Sequence, residues 1–156
     1  MTDAGAAALR IVRATAGDLD ALVPLFAAYR AFYGLADDPR ARPFLAERLA
    51  REESVVLLAW RGTRAVGFTQ LYPSFASLAL GRMFVLYDLY VVPGARRGGT
   101  GAALLRAAVE HARGAGAVEL LLQTAVTNLP AQRLYEREGW VRDDEFLVYT
   151  YRIARP

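Results

Sequence analysis

Apolar positions in this chain recur first at helical spacing and later at strand spacing. Leu9 and Ile11 alternate with polar neighbours as a short strand ending near Ala14. Thr15 and Asp18 stand at capping-box spacing. Leu19, Leu22, Val23, Phe26 and Ala27 then follow one face of a helix that fades over 29–32. A turn-rich stretch over 33–39 leads to a second amphipathic helix over 42–53, with Phe44, Leu45 and Leu49 turned to the core. The period then drops to two. Strands over 55–60 and 65–72 flank a hairpin turn at 61–64, and Pro73 and Gly81 bracket a partly extended stretch. The segment 83–92 is the richest in β-branched and aromatic residues and stops at Pro93-Gly94. A helix over 100–113 carries Leu104, Leu105, Ala108 and Val109 inward and ends at Gly114 and Gly116. A buried strand over 118–123 and a short helix over 130–137, opened by Pro130 and closed by Gly139, come next. Two closing strands over 140–142 and 146–153 complete the pattern. No repeat or linker interrupts it, so the prediction is one α/β domain over 1–156.

Composition narrows the chemistry. Of 156 residues, 54% are hydrophobic and 22% charged, a globular balance. No apolar run approaches the ~18 residues of a membrane span, and the first eight residues carry Asp3 and no basic, export-type start. The absence of cysteine excludes thiol nucleophiles, disulfides and Cys-ligated zinc. A single histidine, His111, excludes a His-rich metal site and is expected on the outer half of its helix. All 19 basic residues are arginine, which removes lysine chemistry, the Walker A loop included. Net charge is only +3, and the arginines are scattered from Arg10 to Arg155 rather than clustered as a nucleic-acid surface. The expectation is a soluble cytoplasmic protein with no metal, nucleic-acid or membrane partner.

The informative segment joins the strand over 83–92 to the helix over 100–113 through Arg96, Arg97, Gly98, Gly99, Thr100 and Gly101. The first N–H groups of a helix have no intrahelical partner and carry the positive end of its dipole. Glycines let a phosphate approach that backbone, and arginines add charge-assisted hydrogen bonds. The bland alternative is a glycine-rich turn with two solvated arginines. A dinucleotide fingerprint fits poorly: Leu104 stands where the third glycine belongs, and Glu119 begins the next strand instead of ending it.

Arg96-x-x-Gly99-x-Gly101-Ala102 after a strand closely resembles the pyrophosphate-binding motif of the GCN5-related N-acetyltransferases (GNAT). Asn128, Pro130-Ala131, Leu134-Tyr135-Glu136 and Gly139-Trp140 resemble that family's second cofactor motif, and Ile11 to Asp18 its usual start. Within the family the sequence is similar to polyamine, diamine and thialysine acetyltransferases and to histone-acetyltransferase-like proteins. The resemblance implies a GNAT fold: a mixed, mostly antiparallel sheet with about four helices, splayed at the cofactor strand.

It also implies a reaction. A primary amine attacks the thioester of acetyl-CoA directly, releasing CoA, with no acyl-enzyme; orientation alone can supply an effective molarity of about 10^5 M. By resemblance, Leu89, Tyr90 and Val91 lie along the thioester arm, with the N–H groups of Leu89 and Val91 polarising the carbonyl. Arg96, Arg97, Gly98, Gly99, Thr100, Gly101 and Ala102 take the pyrophosphate, and Gln123, Asn128 and Ala131 flank the pantetheine. Tyr135 is the general acid for the departing thiolate; otherwise it is an amphipathic packing residue. Asp88 binds the acceptor ammonium and passes its proton to water, or else pairs with an arginine across the sheet. Polyamine-type enzymes carry an acidic pair where this chain has Tyr87-Asp88.

Tyr29, Phe32 and Tyr33, with Asp37 and Asp38, lie on the segment that covers the acceptor pocket in the family, and Gln70, Tyr72, Phe75 and Tyr87 suit the opposite wall. The expected substrate is a small cationic amine. The alternatives are a protein or peptide acceptor and a non-catalytic CoA-binding module. The family often forms homodimers, and the stretch 146–151 would be an exposed apolar edge if left uncovered.

Overall fold

The computed structural model describes residues 7–155; the opening residues 1–6, on which the leader expectation rests, lie outside them. Five strands form one sheet in simple chain order: β1 (Leu9–Arg13), β2 (Val55–Arg61), β3 (Arg64–Ala76), β4 (Gly81–Val91) and β5 (Ala117–Leu122). The first four are antiparallel neighbours, and β5 lies parallel to β4. The four helices are α1 (Leu19–Phe32), α2 (Ala41–Ala50), α3 (Thr100–Gly114) and α4 (Leu129–Arg137). This is the mixed sheet with four helices that the sequence led us to expect. Thr15 and Asp18 form a reciprocal capping box on a 3-10 turn that opens directly into α1.

Each face of the sheet buries its own core. On one side Leu57, Val66, Leu71, Phe84 and Leu86 pack against Leu104, Leu105 and Ala108 of α3. On the other, Val56, Leu58, Phe68 and Tyr90 pack against Leu22 and Leu25 of α1 and Leu45 of α2. Phe68 is fully buried, with its ring 6.2 Å from that of Phe26 and 5.8 Å from that of Tyr29. Phe68→Ala is therefore expected to lower unfolding free energy by about 3–5 kcal/mol in urea titrations, the range for deleting a buried ring.

β4 does not keep one alternation. Gln70 pairs with Asp88, but Leu71 pairs with Leu86, so Tyr87 is an extra residue opposite β3. Such a bulge moves every later side chain to the opposite face. Phe84 and Leu86 thus point to the α3 core, whereas Asp88 and Tyr90 point towards α1. Pairing with β5 covers only Arg82 to Leu86, and the rest of β4 runs on with an open edge.

Several expectations fail, among them the buried strand over 118–123, since β5 at the sheet edge shows Val118 and Leu121 to solvent. The closing strands do not form: after Trp140 the chain makes no ladder, and 141–155 is exposed throughout. The apolar pattern is present, yet a strand needs a hydrogen-bonded neighbour. Asp143 Oδ1 instead accepts from the N–H groups of Glu145 (2.8 Å) and Phe146 (3.2 Å), closing a local turn. Phe44 faces outward beneath the Arg48 guanidinium (4.9 Å) while Leu45 takes the core position. His111 is half-buried with its ring 5.4 Å from Phe84, and burial, with Arg13 nearby, holds its pKa below the usual value. Neither the hairpin tip, where Phe75 lies by Arg82 (5.5 Å), nor Asp38, paired with Arg40, joins the site described next.

Candidate active site

The bulge at Tyr87 turns Asp88 into the interior, 5% exposed, where an unpaired carboxylate is costly. Gln70 Nε2 donates to Asp88 Oδ2 at 2.8 Å, and the Tyr29 hydroxyl donates to the same carboxylate. Burial raises the pKa of Asp88, and these two hydrogen bonds hold the rise back. The arginine partner considered from sequence is not there; among the described residues Asp88 makes no salt bridge. Gln70 is itself fully buried, and its Oε1 has no donor.

Aromatic rings surround this pair. Tyr29 stands edge-on to Tyr33 (5.2 Å) and Tyr90 (6.3 Å), and Tyr33 to Phe32 (5.2 Å). Across the strand Tyr72 meets the more exposed Tyr87 at 5.6 Å. Burial and the nearby Asp88 push the Tyr72 hydroxyl up to about 12 and raise that of Tyr29 as well. Tyr29, Phe32, Tyr33, Gln70, Tyr72, Tyr87 and Asp88, predicted separately from three stretches of sequence, form one constellation.

Tyr135 lies on α4, half-buried, with its ring 6.4 Å from Trp140. The Trp140 N–H donates to the Tyr135 carbonyl at 2.9 Å, which fixes the end of the helix. Burial raises the pKa of the phenol, as does Tyr33; a hydrogen bond with Thr124 opposes the rise. Tyr33 thus stands against Tyr29 and near enough to Tyr135 to raise its pKa. Sequence reasoning missed Thr124. Its only signal was a polar residue directly after β5 and Gln123.

Along β4 the backbone alternates. The Val92 N–H donates to Val66 on β3, and the Asp88 carbonyl accepts from Thr69 Oγ1 at 2.8 Å. Leu89 and Val91 therefore present their backbone groups to the other side, the open edge left where β5 ends. Arg96 confirms the direction: its Nε donates to the Val91 carbonyl at 2.9 Å, and its guanidinium lies 5.7 Å from the rings of both Phe32 and Tyr90.

Past Arg96 the loop leaves backbone donors free. Arg97 and Gly99 have positive φ (63° and 78°), a backbone arrangement that turns successive N–H groups towards one concavity. Gly99 is the N-cap of α3 and supplies no side-chain cap, so the first-turn N–H groups remain available. Gly101 packs closely on α4, since an added Cβ would stand 3.2 Å from Leu134 Cδ2, and that side chain would have to shift by a few tenths of an ångström. Thr100 is buried beside it with Oγ1 unpartnered. The Gly98 carbonyl is tied back by Arg61 at 3.2 Å. Opposite, Asn128 Oδ1 caps α4 by accepting from the Ala131 N–H (3.3 Å), and Gln123 is exposed at the end of β5.

Residues 21–140 match the Acetyltransferase (GNAT) family. The chain is 43% identical over 146 residues to the uncharacterised N-acetyltransferase YhfO of Bacillus subtilis (strain 168), covering 93% of this chain and 98% of that one. It is 38% identical over 87 residues to an aminoglycoside N(6')-acetyltransferase type 1 of Klebsiella aerogenes, covering 54% and 57% of the two. The crystal structure of a probable acetyltransferase superposes with a TM-score of 0.88 at 46% identity, covering 94% of this chain and 99% of the other. With the open β4 edge, the uncapped α3 N-terminus and this likeness over nearly its whole length, the chain belongs to the acetyltransferase (GNAT) family and is an acetyl-CoA-dependent N-acetyltransferase.

Proposed function

We propose that the enzyme acetylates the primary amine of a small cationic molecule by direct attack in a ternary complex with acetyl-CoA. The observation that carries this reading is Gln70 Oε1, a buried acceptor without a donor, beside the buried carboxylate of Asp88. Unsatisfied buried acceptors are rare in proteins. Two buried acceptors on neighbouring residues call for N–H donors and positive charge, and an alkylammonium brings three such donors. The ring faces of Tyr29, Tyr72 and Tyr87 add cation–π attraction. A single carboxylate, with Gln70 and tyrosines instead of a second acid, suits one ammonium group rather than a long polycation.

The chain's residues also fit the acetyl donor, which supplies the acyl group as an activated thioester. The backbone from Arg97 to Ala102 holds the pyrophosphate, with Arg96 and Arg97 adding positive charge. Tyr90 supports Arg96 from below. Leu89 and Val91 N–H groups face the thioester carbonyl, and Gln123, Asn128 and Ala131 flank the arm. Asp88 orients the ammonium and relays its proton to water. With the donor bound, the free amine would form the C–N bond as the C–S bond breaks; Tyr135 would give its proton to the departing sulfur, and the proton released by the new amide nitrogen would return through water to the phenolate. The reading places the enzyme in the cytoplasm with its acetyl donor, and makes it a homodimer.

Acetyl-CoA-dependent thiol release tests this directly, because a chain without cysteine gives no background with a thiol-reactive dye. The panel holds diamines, polyamines, thialysine, lysine, aminoglycosides and a basic peptide. We expect kcat/KM for at least one small amine to exceed that for the peptide by about tenfold or more, the discrimination that roughly 1.4 kcal/mol of extra binding provides. A peptide preference would move the acceptor to proteins. Silence across the panel with acetyl-CoA still bound would favour a binding module.

A further inference from the structure

Glu138 breaks a local rule. It is the C-cap of α4, where the helix carries the negative end of its dipole and an acid is disfavoured. Its side chain is also only 7% exposed, and a buried carboxylate is costly unless it is paired. Arg106 on α3 offsets both costs: its Nε donates to Glu138 Oε2 at 2.7 Å and its Nη2 to Oε1 at 2.9 Å. Two parallel bonds from a planar fork fix orientation as well as distance. The arginine side chain is itself 70% exposed, so a surface residue of one helix holds an acid tucked beneath it on another. Departures from local preference tend to mark functional places.

We infer that Arg106 and Glu138 are positioning residues that set the place of Tyr135. The inference rests on Tyr135 as the acid proposed above and names what holds it. Tyr135 and Glu138 stand three residues apart, and the Glu138 N–H donates to the carbonyls of Leu134 (3.0 Å) and Tyr135 (3.1 Å). A shift of the carboxylate therefore moves the turn that carries the phenol. The two ends of α4 are fastened separately. At the first turn Asn128 caps the helix, and Gln132 Nε2 donates to the carbonyls of Ala125 and Val126, each at 3.1 Å. At the last turn, among the described residues, only Arg106 gives a side-chain hydrogen bond to 136–140, and the chain beyond is exposed. Trp140, on which Tyr135 packs, borders a groove with Leu105, Val109 and the ion pair itself. Loosening that pair frees the phenol's end of α4 and leaves the end beside the acetyl donor in place.

Single-turnover rates of Arg106→Met, made in the unaltered chain and in Tyr135→Phe, test this with the fastest amine of the panel above. Methionine keeps the apolar stem and loses the fork. We expect the rate to fall about tenfold or more in the unaltered chain, as misplacing a reacting group does. In Tyr135→Phe it should change by less than about twofold, because residues that act only through the phenol have nothing left to position. KM for the amine and Kd for acetyl-CoA stay within about twofold. An equal fall in both backgrounds would show a general structural role, and an unchanged rate an ion pair that positions nothing. Either result, or a loss confined to acetyl-CoA affinity, overturns the proposal. Arg106→Met leaves a buried carboxylate unpaired, so its thermal midpoint is measured alongside. If it does not fold, Arg106→Lys carries the same comparison; it keeps the charge but not the fork, and a fall of about threefold or more is expected. Silence with every amine, or Tyr135→Phe at full rate, would remove the reading beneath this inference. A slow Tyr135→Phe beside a fast Arg106→Met would remove the clamp alone.

Discussion

Tyr135→Phe is expected to lower kcat by about 10^2- to 10^4-fold, the usual worth of a positioned general acid, while the Kd for acetyl-CoA stays within about twofold. The substitution removes one oxygen and keeps the ring, so its packing on Trp140 persists. Direct binding by calorimetry beside single-turnover kinetics makes the separation. The pKa shift has a definite sense. Burial raises the phenol above its ordinary value, so Tyr135 holds its proton throughout the neutral range. A leaving thiolate has a reference pKa of about 8.5 against about 10 for a phenol, so the rise also weakens the driving force for proton transfer. Thr124 counters that rise and holds the hydroxyl in place. If Tyr135→Phe keeps the full rate, Tyr135 is a packing residue and another group, or water, protonates the sulfur.

Asp88→Asn is expected to divide activity from stability. Removing the charge that a buried ammonium pairs with should lower kcat/KM for the amine by about 10^2- to 10^3-fold, in line with the loss of one partner of a buried charged pair. The thermal midpoint at neutral pH should rise. The native pKa of Asp88 lies above its unfolded value, because burial disfavours the carboxylate. Between those two values the native state binds more protons than the unfolded state, so stability falls as pH rises through the window. Above it the folded protein carries the full penalty of a buried charge, and asparagine carries none. The gain from Asp88→Asn should therefore be absent at pH below the unfolded value and complete above the native one. Melting curves of both proteins from acid to neutral pH check the sign; a variant less stable at pH 7 would mean that the carboxylate's hydrogen bonds outweigh its burial.

The elements that local patterning controls were legible in the sequence. Thr15 and Asp18 announced the start of the first helix because capping is an interaction of neighbours. The glycine loop was legible for the same reason: the unpaired N–H groups at the start of α3 and the positive φ at Gly99 belong to a few consecutive residues. The side chains that gather around Asp88 were nameable one by one, since acid and aromatic residue types are read directly from the sequence whatever their contacts.

What the sequence could not yield depends on partners distant along the chain. A period-two reading of 83–92 puts Leu86, Asp88 and Tyr90 on one face, and only the bulge opposite Gln70 and Leu71 sends Asp88 and Tyr90 to the α1 side. Leu45 rather than Phe44 entered the core because the packing of α2 on α1 and the sheet sets which face of that helix turns inward. The apolar alternation over 146–153 was real, but alternation states what a strand would bury and not whether a neighbour exists. By itself the sequence determined the helices and the glycine loop with its free N–H groups, because those follow from contacts within a few residues. Only the tertiary structure decided that Gln70 and Asp88 meet as a buried hydrogen-bonded pair, that Tyr33 stands against Tyr29 and that the last stretch goes unpaired, because each is settled by register and packing between segments far apart in the chain.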